Sequence, residues 1–331
     1  MKFLRQPGQI VLAIFFFVMA CVPTLAVALD DNFLIAFLAR VVIYAIAATA
    51  LNIALGYGGL VSLGHALFIG LGMYSVALPA HLGITDGWVQ LGICVFSCAL
   101  VGAATGAISL RTSGIAFIMI TLAFAQMGYF VFVSLKQFGG DDGMAVSAAS
   151  DFFGFKLSTA TSVYYCALFL LFILTICIGK LRQSPFGMAL RAGRQNGRRV
   201  SSIGLALRSY QLAAYVLSAV VCGLAGMLLA NLSAYASPSS MSWIVSGDLI
   251  VMVVLGGMGT VLGPITGAFL FLGVEEILKA FTDNWMAIFG LLIVAIAMLG
   301  KAGVVGWFEG LIQNKTAQND HEANAQTGEL A

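Results

Sequence analysis

Apolar residues run along this chain in long blocks separated by short polar punctuation, and the blocks do not alternate with period two. Blocks of twenty or so apolar residues read as helices that cross a hydrocarbon core of about 30 Å. The first runs from Ile10 to Leu29, behind Lys2 and Arg5, and the second from Phe33 to Leu55. Ala26-Val27-Ala28 mimics a signal-peptidase site, but the run is longer than an ordinary signal core and is expected to be retained. A glycine-loaded stretch from Gly56 to Ala80 reads as a broken or closely packed span. Trp88–Leu110, Gly114–Leu135, Ala160–Gly179 and Tyr210–Leu232 follow, with Lys136–Thr159 and Ser233–Gly247 as outer connections. Asp248 to Glu275 is too long for one span, and Pro264 predicts two shorter helices meeting between Gly256 and Pro264. Trp285–Gly300 makes ten spans. The polar stretch from Gln313 to Ala331 is predicted to be disordered. The expectation is an all-α integral membrane protein, one domain over 1–312 with a cytoplasmic tail at 313–331.

One segment breaks this pattern. Between Lys180 and Arg208 stand seven Lys/Arg and no acid, with span-length apolar blocks on both sides. The positive-inside rule keeps such a loop cytoplasmic. Ser184 suits a helix cap, Pro185 the first helical position, and Met188, Ala189, Leu190 and Ala192 the interior. Gly197 and Gly204 are expected to break or bend the helix. A short helix lying across the membrane face results. Twelve of the sixteen Lys/Arg then fall on that side; Arg40, Lys136, Lys156 and Lys279 do not. Six spans before the loop and four after it put both termini inside.

Composition narrows the class: 60% hydrophobic and 9% charged residues, against about 25% charged in soluble chains. The net charge of +2 points to no nucleic-acid partner. Cys21, Cys94, Cys98, Cys166, Cys177 and Cys222 lie inside apolar blocks and read as packing residues. His65, His81 and His321 are too scattered for a metal or acid–base cluster, and no cofactor is expected. The glycines near Gly263 lack the Gly-Lys-Ser/Thr of a nucleotide loop, since no lysine lies between Arg208 and Lys279. The chain is therefore not expected to hydrolyse ATP by that route. Arg40 reads as a snorkelling interfacial residue. His65 reads as a packed histidine satisfied by a backbone carbonyl, and Gln126 as a residue that faces the pathway or bonds to a neighbouring helix. Glu275 and Glu276 fall near the outer end of their segment.

Three stretches carry a family resemblance: SPFGMALRA with Gly204 and YQLAAYVLSA, LNIALGYGGLVSLGHALFIGLGMYS, and LIVMVVLGGMGTVLGPITGAFLFLGVEEIL. Together with TLAFAQM and FGGDDGM they resemble the LivM-like permeases of ATP-binding-cassette importers for branched-chain amino acids, over Leu51 to Gly306. Gly197-Arg198-Arg199-Val200 departs from that family's acidic, alanine-rich turn. The resemblance implies a type II importer permease-like bundle in a bacterial inner membrane. It implies three kinds of partner: a second, LivH-like permease, two cytoplasmic ATPases and an external substrate-binding protein. It makes Ser184, Pro185, Phe186, Gly187, Arg191, Arg194 and Gly204 the ATPase-coupling loop. Gly58, Gly59, Gly64, His65, Gln126, Gly256, Gly257, Gly259, Gly263, Pro264 and Gly267 become packing or pathway residues. The nearest alternatives are a related permease for urea or short amides and a self-sufficient secondary transporter. The latter ordinarily places ionisable groups at mid-span, where no acid of this chain is expected.

Overall fold

A computed structural model of the chain describes residues 15–23, 32–282 and 284–299. The ends of the first expected span, the Ala26-Val27-Ala28 site and the tail at 313–331 lie outside the described residues.

The helices are α1 (15–23), α2 (Asn32–Asn52), α3 (His65–His81), α4 (Gly87–Ser109), α5 (Ile115–Ser134), α6 (Ala160–Gln183), α7 (Pro185–Ser202), α8 (Leu207–Ser233), α9 (Trp243–Gly256), α10 (Gly263–Phe281) and α11 (Trp285–Leu299). A single π-helical turn, Ile53–Tyr57, extends α2. Among the described residues, five helical stretches are long and apolar enough to cross a membrane: Phe33–Tyr57, Gly87–Ser109, Ile115–Ser134, Ala160–Gln183 and Leu207–Ser233. At 1.5 Å per residue, the 14 residues of α9 reach only about 21 Å and the 17 of α3 about 25 Å, so both stop short of a full hydrocarbon core.

α8 is the spine, packed against α2, α3 and α4. Its buried face runs Ala214, Ser218, Ala219, Cys222, Ala225, a helical repeat of small residues that lets neighbouring backbones close in. A Cβ on Gly72 of α3 would collide with the Gly223 carbonyl, and one on Gly226 with the Ile69 carbonyl. On α4, Gly102 and Gly106 meet Ala219 and Tyr215 in the same way, as the small-residue spacing of that helix predicts. Buried Cys94, Cys98 and Cys222 fill the same seam as free thiols. α5 by contrast leaves Ile115, Met119, Met127 and Phe130 more than half exposed, an apolar surface suited to lipid.

Two expectations change here, and the outer connections of the helical fold gain short pairings: β1 (Met144–Ala145) pairs antiparallel with β4 (Tyr235–Ala236), and β2 (Asp151–Phe152) with β3 (Phe155–Lys156). These connections have no helix to satisfy their backbone, so they satisfy part of it with one another. The connection after α8 is also shorter than Ser233–Gly247. The Ser242 side chain accepts from the Ile244 amide and caps α9 at Trp243, which places Asp248 inside the helix instead of at its start. Finally, the helix of the basic loop breaks one residue before Gly197. Asn196 leaves helical geometry (φ −155°, ψ 90°), and its Oδ1 accepts from the Arg199 amide at 3.1 Å, capping the next turn. Gly204, at φ +85°, then reverses the chain into α8 as expected.

Candidate functional site

The two glycine-rich breaks meet each other at the end of the bundle where α7 lies. The first break leaves residues 58–64 outside any helix, so the first amides of α3 need partners from elsewhere. The amides just before α3 and in its first turn find hydroxyls on three segments. Leu63 N donates to Thr121 Oγ1 of α5 at 3.3 Å, Gly64 N to Ser62 Oγ at 3.1 Å, and Ala66 N to Ser246 Oγ of α9 at 2.8 Å. Irregular backbone at membrane depth is tolerated on these terms, buried and satisfied by protein.

The second break, between α9 and α10, is formed by backbone contact. A Cβ on Gly256 would strike the Gly263 carbonyl, one on Gly267 the Met252 carbonyl, and one on Gly263 both Thr260 Oγ1 and the Gly257 carbonyl. Thr260 closes the turn, its Oγ1 donating to Gly257 O and accepting from Gly263 N, each at 2.9 Å. Pro264 falls in the first turn of α10, where no intrahelical amide is required.

Asn52 joins the two breaks. Its Nδ2 donates to Thr260 O and its Oδ1 accepts from Gly259 N, both at 2.9 Å, using both ends of one buried amide. Sequence reasoning passed over this residue, although a fully buried carboxamide within an apolar block is a signal in itself.

Arg194 of α7 reaches the same point. Its guanidinium donates to the Gly56 carbonyl at the end of the π turn. The stem of the side chain lies where a Cβ on Gly59 would go, at 2.9 Å from Cγ, and Gly59 holds φ +69°. Gly259 is the other neighbour of that guanidinium, its Cβ position 3.5 Å from Nη1. So Gly59, Arg194, Gly257 and Gly259 of the expected set converge, joined by Gly56 and Asn52. A cavity of about 1130 Å³ opens beside them and contains Arg111, Arg194, Arg198 and Arg208 in its wall with no Asp or Glu.

Other expected residues serve the corner that aims α7. Ser184 caps the helix by accepting from Gly187 N at 3.2 Å. A Cβ on Gly187 would run into the Leu181 carbonyl, and Arg191 Nη2 donates to Arg182 O at 2.9 Å, tying α7 to the end of α6. The Phe186 ring leans on Tyr210 of α8 at 5.7 Å. The opposite face of α7 is bare: Pro185, Met188, Ala192 and Gln195 are all exposed.

His65 does not join the junction, and its partner is a hydroxyl instead of the expected carbonyl. Ser218 Oγ donates to Ala50 O at 2.5 Å, so it accepts from His65 Nε2–H at 2.8 Å. This hydrogen accounting leaves Nδ1 as an acceptor, with no hydrogen-bond partner. The ring is packed edge-on against Phe68 and Tyr215, a pinning role between α3, α8 and α2. Gly58 abuts the Ala54 carbonyl, Gly64 approaches Thr121, and Gln126 is half-buried on α5, away from the junction.

Comparison with known proteins gives these features a family context. Residues 33–297 match the family described as branched-chain amino acid transport system, permease component. The high-affinity branched-chain amino acid transport system permease protein LivM of Escherichia coli (strain K12) is 29% identical over 287 residues, covering 80% of this chain and 68% of that protein. LivM of Salmonella typhimurium is 27% identical over 300 residues, covering 83% and 71%. The corresponding LivH protein of Escherichia coli (strain K12) is 24% identical over 285 residues, covering 80% and 91%. No solved structure matches. The match over residues 33–297 takes in both glycine breaks, Asn52 and α7, and the chain is a multi-pass membrane protein of the branched-chain amino acid permease family.

Proposed function

We propose that this chain is a permease subunit of an ATP-driven importer of leucine, isoleucine and valine in a bacterial inner membrane, forming half of the translocation pathway. The observation that carries the mechanism is the two-sided character of α7: one side is tied to the junction through Arg194, and the other exposes Pro185, Met188, Ala192 and Gln195. The exposed side is the docking face for a cytoplasmic ATPase. The chain supplies transport geometry and no ATP hydrolysis, and a pair of ATPases does the hydrolysis. When they close, α7 moves as a lever. Arg194 pulls on the Gly56 carbonyl, and Asn52 passes the displacement to the turn between α9 and α10. α3 and α9, both too short to cross alone, are then the elements shifted. A LivH-like permease forms the other half of the pathway, and an external binding protein delivers the amino acid. In this reading the chain crosses the membrane ten times with both termini inside, as one permease domain over 1–312 and a disordered tail at 313–331.

Co-purification of the chain with the products of its neighbouring genes tests this reading. The expected result is a complex with a second permease and ATPases, whose hydrolysis is stimulated by a leucine-loaded binding protein. Stimulation by a urea-loaded protein alone would change the cargo. A chain that purifies by itself and moves solute into liposomes without ATP would overturn the reading.

A further inference from the structure

The end of the bundle opposite α7 holds a second cavity, of about 570 Å³, between the first turns of α2, the end of α8, the 235–240 connection and α10. The size suits a small molecule. Its wall differs in kind from that of the α7-end cavity: it combines a cation, Arg40, and an anion, Glu276, with Phe37, Leu229 and Leu232. Arg40 and Glu276 form no ion pair within 4 Å among the described residues, where Glu275 pairs with Lys279 at 2.6 Å, although Asp248 of α9 lies close enough to Arg40 to interact with its charge. The Tyr44 ring supports the Arg40 guanidinium, 5.7 Å from its centroid. Below Tyr44 and Leu229 the space closes, with Ile43, Ala47, Ile69 and Ala225 all buried. The cavity therefore does not continue past Tyr44 and Leu229 in this conformation.

We propose that this cavity is an entry subsite for a zwitterionic aliphatic amino acid: Arg40 takes the α-carboxylate, Glu276 the α-ammonium, and Phe37, Leu229 and Leu232 the side chain. The inference rests on the importer reading above and places its cargo. Two opposite charges without a mutual ion pair, in a wall of apolar side chains and serine hydroxyls, are what a molecule carrying both charges on one carbon requires. A simple anion or an anionic lipid headgroup would use Arg40 and leave Glu276 repelling it; a zwitterionic headgroup could meet both charges but would not make labelling respond to leucine. The cavity beside Arg194, with four arginines and no acid, shows the contrast.

The test uses the assembled transporter in proteoliposomes, with Ser239→Cys introduced at the exposed rim of the cavity. Labelling by a membrane-impermeant thiol reagent is followed against the unsubstituted chain, which carries the same native thiols. Millimolar leucine is expected to slow labelling. Leucinamide, without the carboxylate, and 4-methylpentanoate, without the ammonium, are expected to need about tenfold higher concentrations, the loss of one charge-assisted contact. Protection by leucine should weaken about tenfold in Arg40→Gln and recover in Arg40→Lys, and Glu276→Gln should make leucine and 4-methylpentanoate equivalent. Equal protection by all three compounds, or none by leucine, overturns the subsite. If the transporter still imports leucine with ATP in that case, the importer reading stands without it. If it imports no branched-chain amino acid, both fall together.

Discussion

At the α7 end, two backbone breaks and one arginine are drawn together with almost no slack, carbonyl against glycine and one carboxamide bonded at both ends. At the opposite end, the connections touch through two-residue strands, serine hydroxyls bond mostly to their own segment, and charged side chains border open space. The first arrangement transmits displacement, because packed elements that cannot compress shift as units. The second tolerates movement and admits a polar guest. The contrast predicts that equal chemical changes have unequal effects at the two ends.

The largest effect is expected at the crossing of α9 and α10. Gly263→Leu puts a side chain where Thr260 Oγ1 and the Gly257 carbonyl already lie, and such overpacking costs about 3 kcal/mol or more. A melting experiment in detergent should show the variant collapsing well below the parent or failing to assemble. Gly273→Leu on the same helix, with nothing near its Cβ position, is the control and should melt with the parent. A normal melt for Gly263→Leu would remove the close-contact argument.

Next comes Asn52→Ala, which strands the Gly259 amide and the Thr260 carbonyl in a part-buried place. At about 1–3 kcal/mol for each unsatisfied group, stability should fall by about 3 kcal/mol. Loss of ATP-driven uptake should exceed loss of ATPase activity, because the link between the breaks is gone while the face of α7 is intact. Uptake and hydrolysis falling in proportion would make Asn52 a packing residue only. Arg194→Ala sharpens the same point with less damage to the fold. Uptake should drop about tenfold with ATPase activity retained, whereas Arg199→Ala, an exposed neighbour with no junction contact, should stay within about twofold. Gly187→Val and Arg191→Glu act one step earlier, at the corner where α6 aims α7, and should uncouple in the same sense.

These residues also mark how far the sequence could be read. The five long apolar helices followed from block length, and the split of α9 from α10 followed from Pro264 and excess length. The α7 helix was legible from Ser184, Pro185 and its charge, because a cap, a first-turn proline and a basic loop are local signals. The partners were not legible. Asn52 and Gly259 are brought together only by tertiary folding, and nothing near Arg194 in sequence points to Gly56. His65 illustrates the same limit: its burial was readable from an apolar block, but Ser218 as the acceptor depends on how α3 crosses α8. Local turn chemistry also escaped at Asn196, where a side-chain cap broke the helix before the expected glycine. Asp248 looked like a helix start because Ser242 was not recognised as the cap.

The finest test of the contrast sets one buried hydroxyl that satisfies the first glycine break against one exposed hydroxyl at the strand-bearing end. Ser246 Oγ accepts from Ala66 N at 2.8 Å in full burial, where no water can replace it. Ser233 Oγ sits near two carbonyls, Leu229 O at 2.8 Å and Tyr235 O at 2.9 Å, but is exposed. Counting hydrogen bonds would rank Ser233 the more important. Burial reverses the order, since a stranded buried amide loses about 1–3 kcal/mol whereas an exposed carbonyl rebonds to water. Ser246→Ala should therefore lower the melting temperature measurably and loosen the start of α3, read as faster amide exchange around Ala66. Ser233→Ala should stay within about 0.5 kcal/mol of the parent. If the two variants melt alike, the first glycine break is no more tightly satisfied than the strand-bearing end, and the division of labour between a rigid junction and a permissive mouth loses its physical basis.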